Sequence, residues 1–439
     1  MTSLKRTSRF VVKAAETSLG SVLLREMLSL LSHADWVLLA LAVVVFEVPR
    51  YTIPLAALAL SKPARIPRRA EAAVDLAISV IIPAFNGAAG LLTAIASLRE
   101  QILAPFEIIV VNDGSTDNTP AIAEEARAAG LVDMVIHHGT RCGSSAAINA
   151  GARFARGELI VFMDPDTVFA PAAFAHLAAA FKTPHVAGAT CNLGVSNRDA
   201  TLWTALQSLE YMLSISAGKS FLNMIGAVAC CSGACSMYRR DVFLERGGFD
   251  VGPGEDLEFT LRLRRSGYRV HFVPEARAET SVPESAISLI RQRLRWDRDA
   301  LRIRFLQYRE FKPFRREGVS DTLQRLDFIV FDLIPTLAFP AYLIYCSLLF
   351  GPSTPQFLAA VYVFLLGIAL FNIALATLMF GRSPTAFGLL TALIFPLYQG
   401  IVMKLVRLVA FSSEVLFSAS RNDDYVPPRV RRALAGQYR

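Results

Sequence analysis

Apolar residues follow two different patterns along the 439-residue chain. Long, nearly uncharged stretches occupy residues 36–60, 328–350, 357–380 and 386–410. At about 1.5 Å of helix rise per residue, each is long enough to cross a bilayer core of about 30 Å. The part between them alternates short apolar runs with helix-like segments, the pattern of a soluble α/β domain. We therefore predict a globular middle domain with membrane helices on both sides.

The first apolar stretch is irregular because Glu47, Pro49 and Arg50 lie within it. Either the helix is kinked there, or these charges face a protein partner or an aqueous cavity instead of lipid.

Lysines and arginines cluster at both borders of the middle domain, which predicts that this domain is cytoplasmic. Three C-terminal crossings would then leave the tail outside, although the tail carries Arg421, Arg429 and Arg431. Either the positive-inside rule fails at this point, or the stretch 386–410 is re-entrant or interfacial.

The middle domain contains three short apolar runs, 78–83, 106–111 and 159–163, each followed by turn-forming or acidic residues. Runs of this length predict buried parallel strands, and ligands bind beyond the carboxyl ends of such strands. Asp113 follows the second run, where a carboxylate could accept hydrogen bonds from a nucleotide. The alternative is an ordinary turn that caps the next helix, which accounts for Asp117.

Asp164 and Asp166 follow the third run. Two carboxylates at a strand end offer hard oxygen ligands for Mg²⁺ or Mn²⁺, and a cation there would neutralise a diphosphate leaving group. An isolated Asp-x-Asp triplet is common in loops, so this prediction depends on its position after a buried strand.

Asp256 lies in the first turn of a predicted helix, after Gly254 and Glu255. An acid at this position is a routine partner of the helix dipole. As a functional group, Asp256 could take the proton from an acceptor hydroxyl.

Residues 288–307 form a basic amphipathic helix, which is typical of a helix lying at a membrane interface. Gln292, Arg295 and Trp296 suggest a further role for the same segment. A guanidinium can bind a diphosphate, and an indole offers a flat surface for a sugar ring. Gln292 and Arg295 are three residues apart and therefore share a face of the helix.

Composition limits the alternatives. Hydrophobic residues make up 53% of the chain and charged residues 19%, and 45 Lys+Arg against 37 Asp+Glu give a net charge of +8. These values exclude a disordered, collagen-like or small disulfide-rich protein. The basic residues lie at membrane flanks and not along a nucleic-acid groove. The six cysteines lack zinc-ligand spacing, so a reduced compartment and ordinary packing are expected.

Taken in order, these motifs resemble those of the family 2 glycosyltransferases with a GT-A fold. Within that family they are similar to the processive membrane synthases of cellulose, chitin, hyaluronan and poly-N-acetylglucosamine. The resemblance covers about residues 76–300. Its markers are Pro83-Ala84-Phe85-Asn86, Asn112-Asp113-Gly114-Ser115, Asp164-Pro165-Asp166, Ser232-Gly233-Ala234, Gly254-Glu255-Asp256 and Gln292-Arg293-Leu294-Arg295-Trp296. Single motifs are ambiguous, whereas the ordered set between membrane spans is specific.

The resemblance implies an α/β GT-A domain with a mixed, mostly parallel sheet, flanked by transmembrane and interfacial α-helices. The implied divisions are an N-terminal tail (1–35), a transmembrane helix (36–60), a linker (61–75), a catalytic domain (76–285), amphipathic interfacial helices (286–325), three transmembrane or re-entrant helices (326–411) and a basic tail (412–439).

The resemblance also implies roles for individual residues. Asp256 would be the catalytic base, and Asp164 and Asp166 would hold Mg²⁺ or Mn²⁺. The donor would be bound by Pro83, Asn86, Asp113, Asp164, Asp166 and Arg295, and the acceptor by Ser232, Gly233, Gln292 and Trp296.

The implied activity is an inverting, processive transfer from a UDP-sugar, UDP-N-acetylglucosamine or UDP-glucose, to a growing β-linked polysaccharide. The product would be exported through the inner membrane, in which the protein is expected to be multi-pass. One alternative is a transferase that adds a single sugar to a lipid carrier or glycolipid. Another is a non-catalytic transporter or scaffold with a nucleotide-binding domain. Nucleic acid is not expected as a partner, whereas a homo-oligomer and export partner proteins stay open.

Three positions depart from the family's pattern. Gly87 stands where many relatives have Glu or Asp, and Gly254 stands where Thr is frequent. Residues 141–144 read Arg-Cys-Gly-Ser in place of Asn-x-Gly-Lys. The missing lysine could alter donor preference or slow the chemistry, unless Arg141 replaces it.

Overall fold

The computed structural model describes residues 46–61, 76–250, 252–308, 318–423 and 426–431. The predicted 1–35 tail, residues 36–45 of the first apolar stretch and residues 62–75 of the linker lie outside the described residues.

Eight strands form one sheet in the described part of the chain, in the order β3-β2-β1-β4-β7-β6-β8-β5. The strands are β1 (Ile78–Ala84), β2 (Glu107–Asn112), β3 (Met134–His137), β4 (Leu159–Met163), β5 (Val168–Phe169), β6 (Val186–Val195), β7 (Cys235–Arg239) and β8 (Arg269–Thr280). Strands β1 to β4 run parallel, and β7 is antiparallel to both of its neighbours. Four of the seven strand pairings are parallel, so the expected mixed sheet is confirmed.

Helices cover both faces of the sheet and continue beyond it. Before and within the sheet domain they are α1 (Pro49–Leu60), α2 (Leu91–Arg99), α3 (Thr119–Ala128), α4 (Ser144–Phe154), α5 (Ala173–Ala180), α6 (Leu202–Tyr211), α7 (Ser220–Met224), α8 (Arg240–Glu245) and α9 (Glu255–Arg265). After the sheet they are α10 (Ala286–Leu301), α11 (Gly318–Phe328), α12 (Ile334–Phe350), α13 (Thr354–Phe380), α14 (Ala386–Ala392), α15 (Phe395–Leu397) and α16 (Lys404–Phe417). Wider π-helical turns occupy Met212–Lys219, Arg302–Gln307, Ile329–Leu333 and Tyr398–Met403.

The central strand β1 is buried on both faces, which explains why its sequence is continuously apolar. Val80 and Ile82 belong to a core shared with α2 and α5. Ile81 points to the opposite face and packs with α4 and α9. Two helical layers therefore fix the position of this strand and of the loop that follows it.

Five aromatic rings pack together beneath α9, the helix that carries Asp256. Phe259 of α9 lies 5.4 Å from Tyr238 and 5.0 Å from Phe243, between ring centroids. Phe162 and Phe249 complete the cluster. Large buried rings contribute much of the apolar area of a core, so this cluster holds α9 firmly on the sheet.

Among the described residues, one helical stretch is long and apolar enough to cross a membrane, Val319–Phe380. The pair Ala386–Ala392 and Phe395–Phe417 meets the same criterion only if the two helices, which are bent by 55°, count as one span. Length and composition thus provide one or two candidates, and the multi-span arrangement stays a prediction.

The chain reverses within this long stretch, at Gly351–Ser353. Gly351 has a φ of +50°, and Thr354 Oγ1 donates to the carbonyl of Cys346 at 3.3 Å. Eight residues of straight helix would separate those two residues by about 12 Å. Helices α12 and α13 therefore form a hairpin, at the break expected between the apolar stretches 328–350 and 357–380.

The charges near the first apolar stretch contact other helices of the same chain. Arg50 donates to Asp332 at 2.8 Å, and Glu47 pairs with Lys404. Arg407 of α16 also lies 3.2 Å from Asp332. A charge inside an apolar region is stabilised by such a partner. The sequence left open a kink or charges that face a protein partner or a cavity; the structure shows ion pairs within the chain, and helix α1 begins only at Pro49.

The stretch 386–410 is not one straight helix. It divides into α14, α15, a π-helical turn and the first half of α16. Helix α16 packs along α10, where Arg298 donates to Ser413 at 3.0 Å and Arg407 lies 3.6 Å from Asp297. A bend of 55° between the two helices of this stretch is compatible with a broken span and with a re-entrant loop, so both alternatives stay predictions.

Two of the six cysteines differ from the expected thiols. Cys191 of β6 and Cys235 of β7 are joined by a disulfide. Cys230 and Cys231 are free, and the cluster 230–235 packs in the protein interior, as the sequence suggested.

We expect Gly157→Ala to destabilise the sheet domain. An added Cβ would lie 2.7 Å from the backbone nitrogen of Ser79 and 2.8 Å from the carbonyl oxygen of Ala77. Overpacking of this kind typically costs about 1–3 kcal/mol, so the Tm in thermal unfolding of the purified protein should fall. Gly139→Ala is the control, because its Cβ would meet nothing within 4 Å. Equal Tm values for the two variants would contradict this expectation.

Candidate active site

The predicted site residues follow strands that end at one edge of the sheet. Parallel strands β1, β2 and β4 present their carboxyl ends there. Strand β7 runs antiparallel to β4, with Cys235 opposite Met163, so the segment 232–234 reaches the same edge. Asp113 and Asp164 therefore lie at one edge although they are far apart in sequence.

Asp113 organises the loop at the β2 end of this edge. Its side chain is almost fully buried and accepts hydrogen bonds from the backbone N–H of Cys142 at 2.8 Å and of Gly143 at 2.7 Å. The Nδ1 atom of His138 lies 2.8 Å from the same carboxylate. The carboxylate thus fixes the position of residues 141–143 beside the end of β2.

Arg141 occupies the position at which the sequence lacks the expected lysine motif. Its guanidinium lies 4.2 Å from the centroid of the Phe85 ring, next to the end of β1. The loop can approach because Gly114 has a φ of +69° and no side chain; a Cβ would lie 2.7 Å from the backbone nitrogen of Arg141. Arg141 is therefore held near the ends of β1 and β2 by its own contacts.

Asp113, His138 and Cys142 bring potential metal-ligand atoms within 4.8 Å of one another. The N–H groups of Cys142 and Gly143 already donate to this carboxylate, and their positive ends oppose a cation. We therefore interpret the group as a hydrogen-bonded loop and regard the Asp164–Asp166 turn as the better cation site.

The Asp164–Asp166 turn has the chemistry of a cation site. Burial, followed by the carboxylates of Asp166 and Asp256, raises the pKa of Asp164 to about 7, while Arg295 acts in the opposite direction. Burial also raises the pKa of Asp166, whose Oδ1 accepts a hydrogen bond from Thr280 at 3.2 Å. Within the described ranges no donor hydrogen-bonds to the Asp164 carboxylate. Hard oxygen ligands that repel one another fit Mg²⁺ or Mn²⁺.

Two glycines let the start of α2 approach this turn. A Cβ on Gly87 would lie 2.9 Å from Cγ of Pro165. A Cβ on Gly90 would lie 2.7 Å from the carbonyl oxygen of Pro165 and 2.9 Å from Cα of Asp166. The departure at Gly87 therefore has a local reason, since Pro165 fills the space that an acidic side chain would need.

Asp256 lies where the segment 232–234 meets α9. Its Oδ2 accepts a hydrogen bond from the N–H of Gly233 at 3.2 Å, and its Oδ1 accepts one from Leu257 at 2.7 Å. Burial and the neighbouring Asp256 raise the pKa of Glu255 to about 8. Gly254 begins the helix in the left-handed region, and its Cβ would lie 2.7 Å from Ile303. The φ of +77° at Gly254 favours glycine over the frequent Thr, and a Cβ would also lie 3.0 Å from Cβ of Asp299.

Helix α10 brings the last motif to the same cluster. Its first turn is capped by Ser285, whose side chain accepts from the N–H of Ser288. Arg295 acts electrostatically on Asp164, and the Trp296 side chain is 40% exposed. The buried Oε1 of Gln292 has no hydrogen-bond partner among the described residues, so it can accept one from a ligand.

Two predicted donor residues have structural contacts of their own. Pro83 is buried inside β1, beside Val111 of β2. Asn86 has a φ of +52°, and its side chain accepts a hydrogen bond from the N–H of Thr116 at 2.8 Å. Both residues join the β1 and β2 loops, and a direct contact with the donor stays a prediction.

Sequence reasoning missed Lys219, which lies in the π-helical turn Met212–Lys219. Its Nζ donates to Ser232 Oγ at 2.7 Å and so touches the predicted acceptor segment. A signal was present, because Glu210 and Lys219 are the only charged residues between positions 202 and 224. π-Helical turns inside helices often occur at functional sites.

Residues 79–247 match the family model described as Glycosyl transferase family 2. Curated N-acetylglucosaminyltransferases of Mesorhizobium japonicum and Azorhizobium caulinodans are each 33% identical to this chain, over 247 and 241 residues. These matches cover 53% and 51% of this chain and 57% and 60% of the two relatives. The chain thus spans less than two thirds of the length of these curated relatives.

A solved structure supports the assignment of the fold. The mannosyltransferase PcManGT from Pyrobaculum calidifontis, in complex with GDP-Man and Mn²⁺, matches with a TM-score of 0.55 at 19% identity. The match covers 86% of this chain and 98% of that chain. The fold is therefore GT-A-like, and residues 79–247 match the family that the ordered motifs resemble.

We expect Gly90→Ala to weaken divalent-cation binding at the Asp164–Asp166 turn. The added Cβ would press on backbone atoms of Pro165 and Asp166, which cannot rotate away as a side chain can. Titration of the purified protein with Mn²⁺, followed by isothermal calorimetry, should give a Kd raised about tenfold, a loss of about 1.4 kcal/mol. Gly139→Ala again serves as control; unchanged Mn²⁺ affinity in Gly90→Ala would contradict the tight contact.

Proposed function

We propose that this chain is an inverting, processive glycosyltransferase that elongates a β-linked polysaccharide from a UDP-sugar at the inner face of a membrane. The observation that carries the proposal is the cluster formed by Asp164, Asp256 and Arg295, next to the exposed Trp296. UDP-N-acetylglucosamine is the favoured donor, because the curated relatives are named N-acetylglucosaminyltransferases.

The donor would bind along the edge formed by β1, β2 and β4. Asp113 and the loop that it holds would face the nucleotide, and Arg295 would bind the diphosphate. Asp164 and Asp166 would hold Mg²⁺ or Mn²⁺, which supplies positive charge to the departing diphosphate when bound. The Mn²⁺ in the Pyrobaculum calidifontis mannosyltransferase supports this choice of ion.

The acceptor would approach from the side of Ser232, Gly233 and Trp296. As its hydroxyl oxygen forms a bond to C1 of the donor sugar, the bond from C1 to the diphosphate breaks and the electron pair leaves with UDP. The hydroxyl proton passes to the Asp256 carboxylate. Attack from the face opposite to the leaving group inverts the configuration at C1.

Processive elongation requires that the product stays bound between additions. Trp296 offers an apolar face for the terminal sugar, and the free Oε1 of Gln292 can accept a hydrogen bond from it. The hairpin of α12 and α13, together with α14 to α16, would line the route through the membrane. Multi-pass insertion in the inner membrane is part of this proposal.

The proposal is tested with the purified full-length protein and UDP-N-acetylglucosamine or UDP-glucose. We expect UDP release that needs Mg²⁺ or Mn²⁺ and stops with EDTA, together with a polymeric product measured by gel electrophoresis and enzymatic digestion. A product extended by one sugar would instead establish the single-addition transferase. Absence of UDP release with either donor would refute the proposal and favour a binding protein.

We expect Asp256→Asn to abolish transfer while UDP binding persists, because the amide cannot accept the hydroxyl proton. UDP release over time and UDP affinity by calorimetry measure the two effects. Asp241→Asn is a matched control. Like Asp256, Asp241 lies in the first turn of a helix and accepts a hydrogen bond from the N–H of the next residue, but it lies on α8 and is exposed. Turnover in Asp256→Asn equal to that of the control would rule out Asp256 as the base.

A further inference from the structure

We propose that Arg293 is a positioning residue for Trp296, and that Glu210 and Tyr398 hold it in place. The orientation of the acceptor platform would then depend on a buried contact between the catalytic domain, α10 and the C-terminal helices. The inference rests on the proposed function, since Trp296 is given its acceptor role there.

The geometry begins on α10. Arg293 and Trp296 are three residues apart and share a face of this helix. The Arg293 guanidinium lies 4.5 Å from the centroid of the Trp296 ring, within the range of a cation–π contact. Arg293 is buried at 9% exposure, whereas Trp296 is 40% exposed. The arginine thus covers one face of the indole from inside the protein and leaves a sugar ring the other face.

Arg293 is fixed from a second element, helix α6. Its NH2 atom donates to Oε2 of Glu210 at 3.0 Å. Glu210 is itself buried, so each charge requires the other. The planar guanidinium can bind the carboxylate and stack on the indole at once, which an ammonium group cannot do as well.

A third element completes the arrangement. Tyr398, in the π-helical turn Tyr398–Met403, donates its hydroxyl to the same Oε2 of Glu210 at 2.8 Å. Its side chain is 1% exposed. Tyr398, from the C-terminal helical region, therefore holds the Glu210 carboxylate, and that carboxylate holds Arg293. The orientation of Trp296 follows from this series of contacts.

The matched control lies on the same helix. Arg291 is exposed, two residues before Arg293, and faces a different direction. Arg291→Gln and Arg293→Gln therefore remove the same charge from the same helix, and only the second removes the contact with Trp296.

The test separates positioning from folding. With Arg293→Gln we expect the KM for an oligosaccharide acceptor to rise about tenfold, while kcat at saturating acceptor and UDP release without acceptor change less than about twofold. Glu210→Gln should act in the same direction, and Arg293→Lys should recover part of the loss. Arg291→Gln should behave as the unmodified protein.

A spectroscopic measurement makes the test independent of transfer. The chain has three tryptophans, so Trp36→Phe with Trp203→Phe leaves Trp296 as the only tryptophan, whose emission can be excited selectively over that of the tyrosines. In this background, Arg293→Gln should change the emission maximum and increase acrylamide quenching, because the indole loses its inner neighbour. Arg291→Gln should change neither.

Each result decides the inference. An unchanged acceptor KM together with unchanged Trp296 emission in Arg293→Gln would overturn it. A loss of UDP release without acceptor as large as the loss of transfer would also overturn it, because it indicates a general structural defect. If the unmodified protein transfers no sugar, the proposed function fails, and the fluorescence of the same variants still decides whether Arg293 orients Trp296.

Discussion

Concentrated negative charge at one edge of the sheet is the constraint on which the rest of the site depends. Burial and mutual repulsion raise the pKa of Asp164 to about 7 and that of Glu255 to about 8. Such carboxyls either bind a proton or are stabilised as anions by nearby positive charge. Arg295 provides part of that charge from α10, and a divalent cation would provide the rest. The position of α10 is therefore as important to the site as the carboxylates themselves.

Contacts of charged residues also connect the sheet domain with the C-terminal helices. Helix α10 is held by α16, through Arg298 with Ser413 and through Asp297 with Arg407. Arg407 also approaches Asp332, the partner of Arg50. Because buried charges are costly without their partners, these helices and the edge of the sheet support one another's geometry. The C-terminal helices are thus a structural component of the candidate site.

Glycines illustrate how a departure from a motif can be structural. At Gly87 and Gly254 the sequence differs from the frequent residue of the family. An added Cβ would lie 2.9 Å from Pro165 at the first position and 2.7 Å from Ile303 at the second, so a larger residue would require these neighbours to shift. A single sequence contains no information about that space, because the neighbours come from other parts of the chain.

The sequence by itself determined the α/β class, the strands that Asp113 and Asp164 follow, the amphipathic α10 and the ordered motifs that resemble family 2 glycosyltransferases. These features are periodic or local, so the pattern of apolar and polar residues predicts them directly. Only the tertiary structure decided that Lys219 touches Ser232, that Arg50 pairs with Asp332, and that the stretch 386–410 breaks and turns along α10. Each of these depends on contacts between residues distant in sequence, which packing fixes and local pattern does not.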